Sequence, residues 1–446
     1  MASAQSYTCP NCGGPLHFDS KTGKLVCDYC DSTFTVEEVK KFYEEKNQKN
    51  EEAGEQQQAA AQEAEASAEN PHMRLYTCTS CGAELVCDET TVATTCPYCG
   101  NPTVMASGFA NDQKPDYCIP FRFSQKEAVE SLKEYYKHKL LLPKAFAREN
   151  QVEKITGVYV PFWLYSGSVD ADMTFHATRS NTFREGDYEV TRTEHYNVRR
   201  AGTVGFSRIP CDGSSKMPDD LMDSVEPFDY KSLTSFQYEY LPGYLANRYD
   251  VTEEACEPRA AERATNSAAQ VMRNSVSSYS TVEETGRHMN VHRQKTEYAL
   301  MPVYTLHTSW NGQNFLFAMN GQTQKMTGDL PVSKGRAAAW FSGIMAGFLA
   351  VFLFISWLAS DGLTSTTVTI SVLISLVIAG TTVGAMIAGM KPVKQSTQAG
   401  HYVSEANTHI RVRQDVYTHT TETRVRIEQN SGHGPGGPGG PRGGRH

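Results

Sequence analysis

At 446 residues the chain is long enough for two to four domains and a substantial core. Its net charge of −8 gives no global basic field, which argues against general attraction to nucleic acid or anionic lipid. Eight of the twelve cysteines fall in CxxC pairs, and "MASAQSYTC" lacks the basic and apolar regions of a signal sequence; thiolates on zinc in a reducing cytosol are therefore expected, not disulfides.

The first element is a CxxC pair repeated after fourteen residues, Cys9, Cys12, Cys27 and Cys30, and the same frame returns as Cys78, Cys81, Cys96 and Cys99. Two tight turns each supply two thiolates, and a hairpin brings them together as a tetrahedral all-sulfur site. Gly13 and Gly82 follow the second cysteine, where such a turn needs a permissive backbone, and Tyr29 and Tyr98 sit between the last two ligands. Two zinc ribbons are expected, at residues 1–36 and 74–105, holding two Zn2+. Sulfur fills every position, so no coordination position stays open for water or substrate, and the sites read as structural. Each ribbon is too short to fold on apolar burial alone; zinc supplies the difference, typically about 10–16 kcal/mol of apparent free energy. Cys87 aligns with Phe18 of the first copy, so it reads as a packing residue. The second ribbon has no Lys or Arg between Tyr76 and Thr103, and the first balances Lys21 and Lys24 against three aspartates. Phosphate recognition needs a cationic footprint, so nucleic acid is not an expected partner.

Residues 37–73 form an acidic Glu/Gln/Ala-rich linker, expected to be partly helical or disordered and to let the first ribbon range independently. From 106 to 333 the chain reads as an α+β, mainly antiparallel cytosolic domain. Ser124 and Glu127 form a capping box, Val129, Leu132, Tyr136 and Leu140 recur at helical spacing, and Pro143 closes that helix. A second helix is expected between Thr252 and Ser275, and most of the rest alternates as strand. "VPFWLYSG" (160–167) and "MPVYTLHT" (301–308) suggest two related hairpins in one sheet, each with proline opening a strand. No GxxxxGK[ST] phosphate loop, HExxH or GxSxG elbow occurs. His288 and His292 lie four apart but without helical periodicity around them; His176, His195 and His307 lie in strand-like alternation. Cys118, Cys211 and Cys256 read as core thiols. No catalytic residue and no organic cofactor is expected.

Ala337–Ser360 carries no charge and spans roughly 36 Å as a helix, enough for a bilayer core of about 30 Å. Leu363–Met390 is again uncharged, so residues 334–391 read as a transmembrane helical hairpin. Lys334 and Arg336 precede it, and Lys391 and Lys394 follow, which places both termini in the cytoplasm of a two-pass cell-membrane protein. Gly343 with Gly347, and Gly380 with Gly384, are expected to form the seam where the two helices pack. The cytosolic tail, 392–446, holds two alternating stretches that could pair as a hairpin with Arg411, Arg413, Arg424 and Arg426 on one face, before a Gly/Pro-rich end.

The whole arrangement resembles the bacterial membrane proteins with N-terminal zinc ribbons of transcription factor IIB type, some of them labelled replication-restart helicase-like on the ribbons alone. The resemblance rests on the CPNCGG and CPYCGN turns, on "IPCDGSSKMPDDLMDSVEPFDY" with "YLPGYLANRYDV", and on the late hairpin. It implies a membrane-envelope role, with recruitment of flotillin-type or phage-shock-type coat proteins. The reading is a non-enzymatic, membrane-anchored adaptor or scaffold whose partners are the lipid bilayer and cytosolic proteins, with homo-oligomerisation left open. The alternative is a membrane-tethered nucleic-acid-binding regulator.

Overall fold

The computed structural model describes residues 2–54, 73–78, 84–88, 90–96, 102–104, 114–149, 155–359, 364–391 and 393–427. They fall into two compact units. One comprises residues 1–167, 206–264 and 293–402; the other comprises 168–205, 265–292 and the chain from 403 onward.

In the first unit, β1 (Ala2–Ser6) precedes a small antiparallel sheet of β2 (Leu16–Asp19), β3 (Lys24–Cys27) and β4 (Thr33–Phe34). Helix α1 (Val36–Gly54) follows. A reciprocal cap starts it: Glu38 N donates to Thr35 Oγ1 (3.2 Å) and Thr35 N donates to Glu38 Oε2 (2.7 Å). Val36, Val39 and Tyr43 make a buried stripe at helical spacing, and the Tyr43 hydroxyl donates to Thr8 O (3.0 Å) while accepting from Thr8 N (2.6 Å). The first ribbon is therefore not free to range. Phe18 N donates to Pro242 O (3.0 Å), the Phe18 and Tyr240 rings meet edge-on at 5.3 Å, and Lys21 pairs with Glu127 at 3.1 Å. The acidic composition of the following segment hides this three-residue apolar stripe.

The larger sheet of this unit takes strands from along the whole chain. They are β5 (Met73–Cys78), β6 (Glu84–Asp88), β7 (Thr91–Thr95), β8 (Pro102–Val104), β9 (Tyr117–Cys118), β10 (Thr156–Glu185), β11 (Tyr188–Asp212), β12 (Thr234–Ser235), β13 (Leu245–Asn247), β14 (Thr281–Trp310), β15 (Gln313–Asn320) and β16 (Met326–Gly328). Their order is β12-β9-β14-β10-β13-β7-β8-β1-β5-β6, with β11 beside β10 and β15–β16 beside β14. Pairing is mostly antiparallel; β1–β5, β9–β14 and β10–β13 run parallel. Helices α2 (Gln125–Lys137), α3 (Lys144–Glu149), α4 (Asp219–Val225) and α5 (Glu253–Asn274) complete the α+β architecture. The Ser124–Glu127 capping box is present, and α2 buries Ala128, Leu132 and Tyr136. The helix stops at Lys137, so Leu140 lies beyond it and is exposed.

Strand alternation builds a core on both faces of β10. Val158, Val160, Phe162 and Leu164 join Ala299, Met301 and Val303 of β14 and Leu221, Met222 and Val225 of α4. On the other face, Tyr159 contacts Phe121, which stacks flat on Tyr244 at 4.0 Å and meets Tyr304 edge-on at 4.8 Å. The two expected hairpins are β10–β11 and β14–β15. Their prolines lie inside the strands instead of opening them, and in both the proline carbonyl accepts from a glycine: Gly213 N to Pro161 O (2.9 Å) and Gly321 N to Pro302 O (2.8 Å).

An ionic cluster ties α4 and α5 to the chain around residues 394–402. Arg263, 2% exposed, donates to Pro210 O (2.6 Å) and to both oxygens of Glu226 (3.1 and 2.6 Å). Tyr402 donates to Glu226 Oε2 (3.0 Å), Ser396 N to Asp223 Oδ2 (2.9 Å), and Lys394 N to Ser224 Oγ (3.0 Å). Arg259 closes the set on Asp219 and Asp223. Burial pushes the Glu226 carboxyl up, and Arg263 opposes that push with a bidentate charge-assisted contact.

Helices α6 (Lys334–Ala359) and α7 (Ser365–Ala388) are antiparallel neighbours in chain order and pack on each other. The entry and exit of this pair are joined, Leu330 N donating to Met390 O at 2.8 Å.

In the second unit, the remaining lengths of β14, β10 and β11 are joined by β17 (Val403–Arg426) in the order β14-β10-β11-β17. The tail thus forms one strand of 24 residues on β11, not the expected hairpin. Its partner permits close approach: a Cβ at Gly202 would run into the His409–Ile410 backbone, and one at Gly205 into Asn407. Of the tail arginines, Arg424 is matched by acids, pairing with Glu185 and Glu422 at 3.5 Å each.

Candidate metal centre and membrane hairpin

The ribbon turns place four sulfurs together. Cys9 and Cys30 Sγ lie 3.6 Å apart, Cys12 and Cys27 3.4 Å apart, and all four lie within 4.8 Å of one another. A tetrahedral zinc–thiolate site with bonds of about 2.3 Å needs sulfurs about 3.8 Å apart, so the donor set fits zinc. The two turns are built alike. Cys9 N donates to Gly14 O (2.6 Å) and Gly13 N to Cys9 O (2.9 Å); Cys27 N donates to Ser32 O and Asp31 N to Cys27 O, both at 3.0 Å. Each needs a left-handed residue four positions after its first cysteine, supplied by Gly13 (φ 75°) and Asp31 (φ 55°). Gly14 is needed for a different reason, because a Cβ there would press into the Tyr29 ring at 2.8 Å. Cys9 and Cys27 are buried, Cys12 and Cys30 exposed.

The cluster's electrostatics suit a metal. The Ser32 hydroxyl and amide draw the Cys30 thiol down to about 6. Cys12, although the Gly14 amide pulls it down, is pushed up to about 12 by Cys30 and Cys27. Four thiolates this close repel one another, and a divalent cation removes that repulsion while releasing the protons.

Of the second set, Cys81 and Cys99 lie outside the described residues. Cys78 and Cys96 are fully buried and pack together with Tyr76 and Cys87. They are the first and third cysteines of their frame, the same two positions that are buried in the first. Among the described residues one group is close enough to hold a metal, Cys9, Cys12, Cys27 and Cys30.

Helices α6 and α7 are long and apolar enough to cross a membrane, about 39 and 36 Å from 26 and 24 residues. Their outer faces expose Phe348, Val351, Phe354, Leu358, Leu373 and Val377, which water would not tolerate as one surface and hydrocarbon would. Trp340 and Trp357, both exposed, stand seventeen residues apart on α6, about 25 Å, the spacing of an aromatic belt at each interface.

The glycines are not the seam between these helices. A Cβ added at Gly343, Gly347, Gly380 or Gly384 would meet nothing within 4 Å. Helix α7 instead buries Ser371, Ser375, Ala379 and Val383, a small-residue stripe at four-residue spacing. Gly380 and Gly384 each follow a stripe residue by one position, which turns them about 100° away around the helix. Ser375→Leu is expected to cost the helix pair about 1–3 kcal/mol by overpacking, whereas Gly384→Leu leaves it unchanged. Thermal unfolding of both variants in detergent distinguishes the two stripes.

Residues 8–38 match the family model of Trm112p-like proteins. The chain is 34% identical over 349 residues to the uncharacterized protein YdjG of Bacillus subtilis (strain 168), a match covering 78% of this chain and 96% of that one. This chain belongs to the YdjG family. No solved structure matches it.

Other chemistry-bearing residues of this YdjG-family member sit in quieter settings. Burial pushes the Cys118 and Cys211 thiols up to about 12 and Cys256 up to about 11, which removes thiolate reactivity. His288 and His292 lie on β14, where His292 meets Asp170 at 3.1 Å, and His307 lies further along the same strand. His176 and His195 approach to 3.1 Å, and the His195 ring stacks on His419 at 4.4 Å, a contact between strands that sequence spacing did not reveal. A cleft of about 380 Å³ holds Asp116, Glu253 and Glu254. Asp116 accepts from Tyr298 N (2.9 Å) and Glu253 pairs with Arg293 (2.8 Å). Glu254 is held below the ordinary carboxylate range by its own backbone amide and Thr252. A general acid needs its pKa raised, and Glu254 is shifted the other way.

Proposed function

We propose that this chain is a two-pass membrane anchor presenting zinc-stapled modules in the cytosol as an adaptor for protein partners. The all-sulfur cluster carries the reading, because its closed donor set is a staple and leaves no position for a substrate. A second zinc on Cys78, Cys81, Cys96 and Cys99 is part of the proposal, supported by the matching burial of Cys78 and Cys96. So is the arrangement as two ribbons of transcription factor IIB type, a linker, an α+β domain, a hairpin and a tail. Lys334, Arg336, Lys391 and Lys394 at the ends of the hairpin support cytoplasmic termini. Protein partners of flotillin or phage-shock type, expected from the sequence resemblance, are the first to test. Purification in mild detergent followed by mass spectrometry of co-purifying protein and nucleic acid tests the role. Recovery of nucleic acid without a stoichiometric protein partner would replace the adaptor with the membrane-tethered regulator. Topology is checked separately: a cysteine at Ser360 should label from outside intact cells, and one at Ser431 only after permeabilisation.

A further inference from the structure

We propose that the turn between α2 and α3, Lys137–Lys144, is a third membrane-contacting element that seats Leu140 among anionic phospholipid headgroups. The inference rests on reading α6 and α7 as membrane spans. Three hydrogen bonds hold the turn at the foot of that hairpin. Ser333 N, just before α6, donates to Leu141 O (3.0 Å); the Arg336 guanidinium in the first turn of α6 donates to Leu142 O; Lys139 Nζ donates to Gly389 O (2.7 Å), at the end of α7. The last contact also sets a cation against the negative end of the α7 dipole. The turn is thereby level with residues 333–336, about 6–10 Å along the axis of α6 from Trp340, which is the depth of a headgroup layer when that tryptophan marks the interface.

The composition of the turn suits that depth. Leu141 and Leu142 face inward and are buried, while Leu140 between Lys139 and Leu141 is 45% exposed. At headgroup depth that side chain enters the apolar edge of the interface instead of water. Lys137, Lys139 and Lys144 belong to the same turn, and Lys334, Arg336 and Lys391 to the ends of α6 and α7 that the turn is bonded to. Glu134 pairs with Lys137 and His138 at 2.6 and 3.2 Å and offsets part of this charge, leaving the collar cationic. Juxtamembrane lysines and arginines of this density favour anionic lipid over neutral lipid.

The test uses the full chain in nanodiscs, with a photo-crosslinking amino acid at Leu140 or, as a reference inside the span, at Leu358. Lipid adducts are read by mass in discs of phosphatidylcholine alone and in discs with about one-third phosphatidylglycerol. Adducts are expected at both positions, with the yield at 140 rising at least about threefold in the anionic discs and the yield at 358 unchanged. Adducts at 358 with none at 140 would overturn the proposal and leave the spans intact. Absence of adducts at 358 would instead overturn the membrane reading on which it stands. Equal yields at 140 in both discs would refute the anionic preference.

Discussion

Cys9→Ser is expected to remove one equivalent of zinc per chain and to release more than the small module it belongs to. The cluster supplies binding energy that such a small module lacks, on the order of 10 kcal/mol, so its loss unfolds β2–β4. The ribbon then ceases to hold its neighbours. Tyr43 of α1 loses its exchange of hydrogen bonds with Thr8, and Tyr240 loses the Phe18 ring. Hydrogen exchange should therefore quicken in α1 and across Tyr238–Tyr244 as well as in residues 7–34. Cys87→Ala, which removes a thiol outside the four-sulfur frame, is expected to leave the zinc content unchanged. Elemental analysis with exchange mass spectrometry reads all of this; unchanged protection of Tyr238–Tyr244 in Cys9→Ser would show the ribbon to be energetically separate.

The second large effect is expected at the ionic cluster around Arg263. Glu226→Gln removes the charge that Arg263, 2% exposed, depends on, and breaking one side of a buried pair costs about 3–5 kcal/mol. Replacing both partners, Arg263→Met with Glu226→Leu, should cost much less, since no charge is then left unpaired. The two variants also separate in where they fail. Glu226→Gln loosens residues 393–402, because the one remaining amide oxygen is uncharged and must serve both Tyr402 and Arg263, so protease should cut there first. Denaturation in detergent and limited proteolysis measure the two parts. If the single variant is as stable as the parent, the cluster does not bear on the fold.

The legible parts of this protein are those whose physics is local. The four-sulfur frame could be read because metal geometry dictates the spacing between Cys9 and Cys12 and between Cys27 and Cys30. The Ser124–Glu127 cap, α5 between Glu253 and Asn274, and the two apolar helices were readable for the same reason. What failed depended on partners distant in sequence. "IPCDGSSKMPDDLMDSVEPFDY" reads as a mark of kinship, and its acids Asp223 and Glu226 show their purpose only beside Arg259, Arg263 and Tyr402. The glycine seam failed because α7 carries small residues on two faces, and composition does not say which one meets α6. Asp31 went unnoticed because a left-handed turn residue that is not glycine leaves no mark in sequence.

The bond from Leu330 to Met390 makes the α6–α7 pair a cassette. The polypeptide departs and returns at a single point. The helices beyond Arg336 and before Gly389, the last residues that bond the α2–α3 turn, can therefore be lengthened, shortened or exchanged without moving the sheet they grow from. Residues 331–389 are, in topological terms, one long surface loop closed at its base, and closing a loop costs little more when the loop grows. Evolution could thus tune the length of the two apolar helices independently of the sheet. An experimenter can use the same point to excise the spans with a short bridge and keep the remainder in water.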